Sequence, residues 1–146
     1  MAETCGFFNS VDSDRVYSAE HFSTLISMLF TNGTTGLGIV RSGSSQVIIR
    51  PGGAIIDGYW YYSSEDKTFN VPMSNISRWD RIVLRYTIED RNITMVYRTG
   101  SESGPPEPDY NSSVKEIPIC KLLINPGTIA SIWDERSIIE LRTGGT

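Results

Sequence analysis

Residues 81–99, RIVLRYTIEDRNITMVYRT, alternate two kinds of side chain on either side of a polar centre. Alternation with a period of two is typical of a β-strand with two unlike faces. A two-residue turn at Asp90-Arg91 therefore predicts a β-hairpin. Its core-facing pairs are Ile88–Ile93, Tyr86–Met95 and Leu84–Tyr97. Because Asp-Arg is a weak turn pair, a longer turn that includes Glu89 or Asn92 stays open.

The opposite face of the predicted hairpin is mixed and cationic, since it carries Arg81, Val83, Arg85 and Arg98. We expect this face to meet water, a partner or carboxylates, while the apolar face packs on the core. A slip of one residue in the register would mix the two sets of side chains. The pattern therefore indicates which residues share a face.

The chain has 146 residues, of which 39% are apolar and 21% charged, so its composition is that of a globular protein. We expect one β-rich structural domain over residues 1–146, with 137–146 as a loose C-terminal tail. No apolar run approaches the about 20 residues that span a bilayer. The N-terminal segment MAETCGFFNSVDSDR lacks the basic and apolar regions of a signal peptide. The net charge of −4 argues against nucleic-acid binding.

Residues for metal binding or catalysis are few. The chain has one histidine, His21, and two distant cysteines, Cys5 and Cys120, which we expect to be reduced thiols. It contains no nucleophile elbow, phosphate-binding loop or dinucleotide-binding motif. We therefore predict a protein without catalysis, metal or cofactor. A glycosidase that uses two of the chain's carboxylates is the alternative in the enzyme class.

The sequence predicts one amphipathic helix, at about residues 18–31. Ser18 is a suitable N-cap, and Asn32-Gly33 is a typical C-terminal signal. Apolar residues recur between them at helical spacing. This predicted apolar face consists of Phe22, Leu25, Ile26, Leu29 and Phe30.

Short β-type segments separated by Gly, Pro and Ser turns follow the helix and predict an antiparallel meander. Pro118 makes its own segment an edge strand or a strand with a bulge. The proline-rich residues 100–113 predict an extended, solvated loop. The fold class is mainly β, an antiparallel β-sandwich or partly closed barrel with one N-terminal helix. Outside the hairpin, the predicted strands span 37–41, 46–50, 54–63, 67–71, 116–124 and 128–133.

The segment AIIDGYWYY at 54–62 predicts a strand that is apolar on both faces. We expect such a strand to be central in a sheet or covered by another subunit. Its aromatics Tyr59, Trp60 and Tyr61 are typical of a core, and the alternative is a platform on which a sugar ring stacks.

Three short stretches pair aspartate with arginine. They are Asp14-Arg15 before the helix, Asp80-Arg81 at the start of the hairpin, and Asp134 with Arg136 after the last strand. Partly buried pairs of this kind fix geometry, because guanidinium presents a planar fork of donors to a carboxylate. Solvated surface charges are the alternative interpretation.

Several short motifs follow one another between residues 6 and 140. They are FNS, DRVY and AEHF near the N-terminus, then RPGGA, GYWY, DRIVLR, a glycine-and-proline segment, and DER. In this order they resemble the motifs of a family of tail and baseplate structural proteins of phages that infect Gram-positive bacteria. The resemblance implies the N-terminal module of a baseplate or tail-fibre protein.

The resemblance implies a virion protein that is made in the host cytoplasm, docks on other tail proteins, self-associates, with a trimer favoured, and positions receptor-binding parts. On this hypothesis the helix and the two-sided strand supply apolar contact area. The arginines of the cationic hairpin face pair with carboxylates to fix the subunit register, and the interface candidates are Arg81, Arg85, Arg98, Asp80, Asp134, Arg136, Asp14 and Arg15. Replacing Arg85 with Ala should then weaken assembly with little loss of folding. The alternative function is binding of a host cell-wall saccharide through Tyr59, Trp60 and Tyr61.

Overall fold

The computed structural model describes residues 18–142, and it is mainly β. These residues form one helix and ten strands, and no helix among them is long and apolar enough to cross a membrane. The elements are α1 (Ala19–Leu29), β1 (Gly33–Gly36), β2 (Ile39–Ser42), β3 (Gln46–Ile49), β4 (Gly52–Ile56), β5 (Tyr59–Ser63), β6 (Lys67–Asn70), β7 (Arg78–Thr87), β8 (Asn92–Thr99), β9 (Val114–Asn125) and β10 (Thr128–Asp134).

The first six strands form two antiparallel three-stranded sheets, with the orders β1-β4-β5 and β2-β3-β6. The chain passes directly from β1 to β2, from β3 to β4 and from β5 to β6, so the two sheets are halves of one bent meander. Backbone bonds from Leu37 N to Pro51 O and from Arg50 N to Gly38 O join the halves at the bend. The predicted meander is confirmed.

The last four strands form an antiparallel sheet with the order β10-β9-β7-β8. The predicted hairpin is its β7–β8 pair, but Tyr86 lies opposite Ile93 and Leu84 opposite Met95. The predicted register was therefore wrong by two residues, because the turn spans residues 88–91 instead of two residues. A shift of two keeps every side chain on its predicted face, since the side-chain period of a strand is two.

Strand β9 lies inside this sheet, between β10 and β7. Pro118 therefore does not mark an edge strand. Its segment carries the predicted bulge instead, since Ile82 pairs with Cys120 while the next residue, Val83, pairs with Pro118. The bulge changes the parity of β9, so Glu116 and Lys121 lie on the same face of the sheet.

The core lies between the bent meander and the apolar face of the four-stranded sheet, as in a sandwich, and the strands of residues 18–142 form no closed barrel. Both layers contribute fully buried aliphatic side chains. The core includes Leu37, Val47, Ile49 and Ile56 from the meander side, and Ile82, Leu84, Ile119, Leu122, Ile124 and Ile129 from the sheet side.

The segment predicted as one two-sided strand is two strands, β4 and β5, so that prediction was wrong. A tight turn at Asp57-Gly58, with φ of 50° and 83°, joins them. Asp-Gly is a favoured pair for a two-residue hairpin turn because both positions need positive φ. The turn puts Trp60 and Tyr62 opposite Ile55 and Gly53.

Helix α1 is present as predicted, ending at Leu29 with Phe30 as its C-cap. The Ser18 amide donates to His21 Nδ1 over 2.8 Å at the helix start. Its one buried residue is Ser23, whereas Leu29 of the predicted apolar face is 41% exposed. A side chain at Gly58 would meet the Ser23 carbonyl oxygen at 1.9 Å, so the helix contacts the β4–β5 turn closely.

The sequence predicted a loose tail over residues 137–146, but residues 137–142 are hydrogen-bonded to the rest of the fold. Thr34 N donates to Ser137 O over 2.7 Å, Ile139 N donates to Thr34 O, and Arg142 N donates to Leu29 O. The C-terminal segment therefore runs beside β1 and reaches the end of α1. Residues 100–113 also differ from a fully solvated loop, because several of them are half-buried.

Candidate functional site

Glu116 is the centre of an ion-paired cluster on the second face of the four-stranded sheet, away from the core. The whole residue is only 2% exposed. Its carboxylate accepts hydrogen bonds from Arg85 Nε and from Arg98 Nη1, each over 2.7 Å. The Asp109 amide donates to the same carboxylate over 2.8 Å. Arg98 also donates to the backbone carbonyl of Glu107. Both predicted interface arginines of this cluster are therefore paired within the chain.

Arg81 forms a second ion pair on that face. Its guanidinium donates to both carboxylate oxygens of Glu135, over 2.9 and 3.0 Å, and to the carbonyl oxygen of Pro106 over 2.7 Å. Arg81 lies directly opposite Arg98 in the ladder, so the carboxylates offset a like-charge contact. The proline-rich loop thus bonds to this face through its backbone.

Asp80 does not pair with Arg81, because neighbouring residues of a strand point to opposite faces. It is fully buried and accepts two hydrogen bonds from the Arg78 guanidinium, both over 2.8 Å, and one from Gly100 N. The Tyr97 hydroxyl also donates to it. Burial, together with the Asp80 carboxylate, raises the pKa of Tyr97. Arg78, Asp80 and Tyr97 therefore form a hydrogen-bonded group within the sheet, with the Asp80 carboxylate at its buried centre.

The Asp134 and Arg136 pair forms as predicted. The guanidinium donates to both carboxylate oxygens over 3.0 and 2.7 Å, and its other nitrogen donates to Gly36 O over 2.7 Å. The hydrogen bonds from Arg136 lower the pKa of Asp134. The remaining predicted pair, Asp14 and Arg15, lies outside the described residues.

These contacts bear on the predicted assembly role of the arginines. Arg81, Arg85 and Arg98 meet carboxylates, as one of the sequence alternatives stated, and those carboxylates belong to the same chain. Breaking a buried ion pair by removing one partner costs about 3–5 kcal/mol. We therefore expect loss of Arg85 to weaken folding itself, in contrast to the sequence-based expectation.

Several exposed apolar side chains lie instead on the end of α1 and on the C-terminal segment. We call Met28, Leu29, Ile138 and Leu141 the terminal patch. Their exposed fractions are 64%, 41%, 74% and 65%. A β-bridge between Phe30 and Leu141 and the bond from Arg142 N to Leu29 O hold the two segments together. Sequence reasoning missed Ile138 and Leu141 because it treated their segment as a tail.

The three predicted saccharide-contact residues separate in the structure. Tyr59 and Tyr61 are half-buried and pack against the core cluster, whereas Trp60 is 75% exposed. Tyr59 stacks on Tyr86 with ring centroids 5.1 Å apart and an interplanar angle of 27°. Tyr62 of the same strand is 67% exposed.

A groove of about 590 Å³ lies next to Tyr59 and Trp60. It opens between β5 and β8, which are edge strands of their sheets, and the first turn of α1 borders it. Aromatic and aliphatic side chains line most of it, with polar groups beside them. The lining residues are Ala19, Glu20, Tyr59, Trp60, Tyr86, Ile88, Arg91, Asn92 and Ile93.

Within residues 18–142, no group of three or more His, Cys, Asp or Glu side chains is placed to hold a metal ion. Cys120 is buried and forms no disulfide with another described residue, and burial raises the pKa of its thiol to about 12. Such a thiol is poorly nucleophilic, because the thiolate is the reactive form. Cys5 lies outside the described residues.

Comparisons of the chain with protein-family models, with curated proteins and with solved structures found no match.

Proposed function

We propose that this protein is a structural and adaptor module of a phage tail or baseplate, which docks on other tail proteins, associates with copies of itself and positions receptor-binding parts. It acts by assembly and performs no catalysis. Two independent lines support the proposal: the ordered sequence motifs and the terminal patch.

The terminal patch is the observation that carries the proposal. Three of its four members, Met28, Ile138 and Leu141, leave more than half of their surface in water, although the core of the same chain fully buries other isoleucines and leucines. The two segments that carry these residues are hydrogen-bonded to each other. Large exposed apolar patches are typical of protein-protein contact sites. The patch also joins two chain segments, so a partner that covers it would fix both.

The arginine clusters have a different part in this proposal. They hold the proline-rich loop and the four-stranded sheet in one geometry, and thereby give the domain a rigid frame on which an interface can form. Guanidinium groups suit this role because each can satisfy a carboxylate and a backbone carbonyl together.

Light scattering on size-exclusion chromatography tests the self-association. We expect a closed symmetric oligomer whose mass stays constant over a dilution series. The sequence resemblance favours a trimer. A monomer at every concentration would contradict self-association. The docking part is tested separately, by the presence of the chain in purified, detergent-washed phage tails detected with an antibody against it.

A further inference from the structure

We propose that the groove between β5, the β7–β8 turn and the first turn of α1 binds one ring of a neutral saccharide chain. This inference goes beyond the assembly role, because it needs neither a second copy nor another tail protein. It also assigns a place to saccharide contact that differs from a simple row of three neighbouring aromatics.

The floor and one wall of the groove suit the C–H face of a sugar ring. Trp60 presents its indole at the surface, and 75% of the residue is exposed. The stacked pair Tyr59 and Tyr86 is fixed by packing, since Tyr86 is only 9% exposed. Aromatic rings carry negative charge on their faces and so attract the weakly positive hydrogens of a sugar face.

The polar groups of the groove suit hydroxyl groups. Glu20 supplies a carboxylate, Arg91 a guanidinium and Asn92 an amide, so acceptors and donors are both present. The hydrogen bond that the Ser18 hydroxyl donates to the Glu20 carboxylate is the main factor that lowers the pKa of Glu20. Arg91 has a φ of 52°, which holds the turn in a conformation that few non-glycine residues adopt.

The charges of the groove favour a neutral ligand. Glu20 and Arg91 cancel in sign, and the chain as a whole carries a net charge of −4. An anionic polymer would meet long-range repulsion and only one cation of the groove. The volume of about 590 Å³ lies inside the range of small-molecule sites, about 300–1,000 Å³. A hexose or N-acetylhexosamine ring therefore fits the lining best.

Titration of the full chain with maltohexaose, cellohexaose and chitohexaose tests the proposal, with tryptophan fluorescence and calorimetry as the two readouts. We expect at least one of these neutral saccharides to bind, and Trp60→Ala to weaken that binding at least about tenfold. Tyr62→Ala is the matched control, because Tyr62 is exposed on the same strand but does not line the groove. It should leave the affinity unchanged.

Three results would overturn the proposal. The first is that none of the three saccharides binds at millimolar concentration. The second is that Trp60→Ala keeps full affinity, or that Tyr62→Ala lowers it as much. The third concerns the Trp60 share of acrylamide quenching without saccharide, taken as the difference between the parent protein and Trp60→Phe because the chain has three tryptophans. If that share is larger in a monomeric variant than in the oligomer, a second copy is the occupant. Circular dichroism of both variants checks that they fold. Loss of saccharide binding with an intact oligomer would separate this proposal from the assembly role.

Discussion

The four-stranded sheet and the helix-meander side of the molecule differ in which side chains have partners within the chain. In the sheet, arginines that an alternating pattern places on one face are paired with carboxylates and backbone carbonyls of the same chain. On the other side, Trp60 and the terminal patch leave large apolar surfaces in water. The arginines on this face of the sheet therefore have their partners within the chain, whereas these apolar side chains remain available for contacts outside it.

This comparison changes where an interface is expected. A cationic strand face suggests a surface for partners when only the sequence is considered. In the structure, Arg85 and Arg98 instead form hydrogen bonds with the buried Glu116 of the same chain. We therefore expect contact with partners at α1, the C-terminal segment and β5. The predictions below test this division, beginning with the largest expected effect.

Removal of the buried carboxylate should have the largest effect. Glu116→Ala leaves Arg85 and Arg98 close together without their shared partner, so we expect the free energy of unfolding to fall by about 4 kcal/mol. Urea denaturation measures the change. Glu107→Ala is the control, since only the backbone carbonyl of Glu107 bonds Arg98, and it should change stability by less than about 0.5 kcal/mol. Equal effects of the two variants would argue against an internal role for the cluster.

The second test concerns the contact between α1 and the β4–β5 turn. Gly58→Ala should destabilise the fold by about 3 kcal/mol, because it adds a clash with the Ser23 carbonyl to the cost of a positive φ. Gly127→Ala is closely matched, since Gly127 has a φ of 81° and open space around its Cα. It should cost only about 1 kcal/mol. Thermal unfolding that ranks the two glycines equally would mean that the helix contact contributes nothing.

A smaller effect is expected at Asp57. We call Asp57 and the three side chains that donate hydrogen bonds to it the clasp. Burial opposes ionisation of Asp57, but hydrogen bonds from Lys115, Tyr110 and Asn32 outweigh it and lower the pKa below 3.8. The stabilisation is therefore present above about pH 4 and disappears as the pH falls through the folded-state pKa. Asp57→Asn keeps a favourable turn pair with Gly58 and removes the charge.

The prediction for this variant is a loss of stability at pH 7 that shrinks as the solution becomes more acidic than pH 3.8. Melting temperatures across the acid range measure it. The control is Asp66→Asn, because the Asp66 pair with Arg50 is exposed and 3.4 Å long. A stability difference for Asp57→Asn that does not change with pH would contradict an ionic contribution from the clasp.

Local patterns predicted the helix, the meander and the two faces of the hairpin, because each depends on residues that are neighbours in sequence. Alternation survived even a register error of two residues. The β4–β5 turn was missed although its signal, Asp57-Gly58, stands in the sequence; the apolar run around it favoured one long strand. The position of this turn could therefore have been predicted from the sequence.

The partners of the arginines could not be predicted in the same way. Glu116 follows Arg85 by 31 residues, and Glu135 follows Arg81 by 54. Their meeting depends on strand order and on the bulge near Pro118, which decides the face on which Glu116 lies. Neither strand order nor bulge position follows from local periodicity, so the same arginines suggested an interface.

The most direct test of the account compares the mass in solution of the protein with that of two variants, Leu29→Glu and Arg85→Ala, by light scattering. Leu29 belongs to the terminal patch and is 41% exposed, whereas Arg85 bonds Glu116 within the chain. We predict an oligomer that Leu29→Glu converts to a folded monomer, while Arg85→Ala lowers the melting temperature and keeps the oligomer mass. An Arg85→Ala protein that melts like the parent but is monomeric, with Leu29→Glu still oligomeric, would contradict the account.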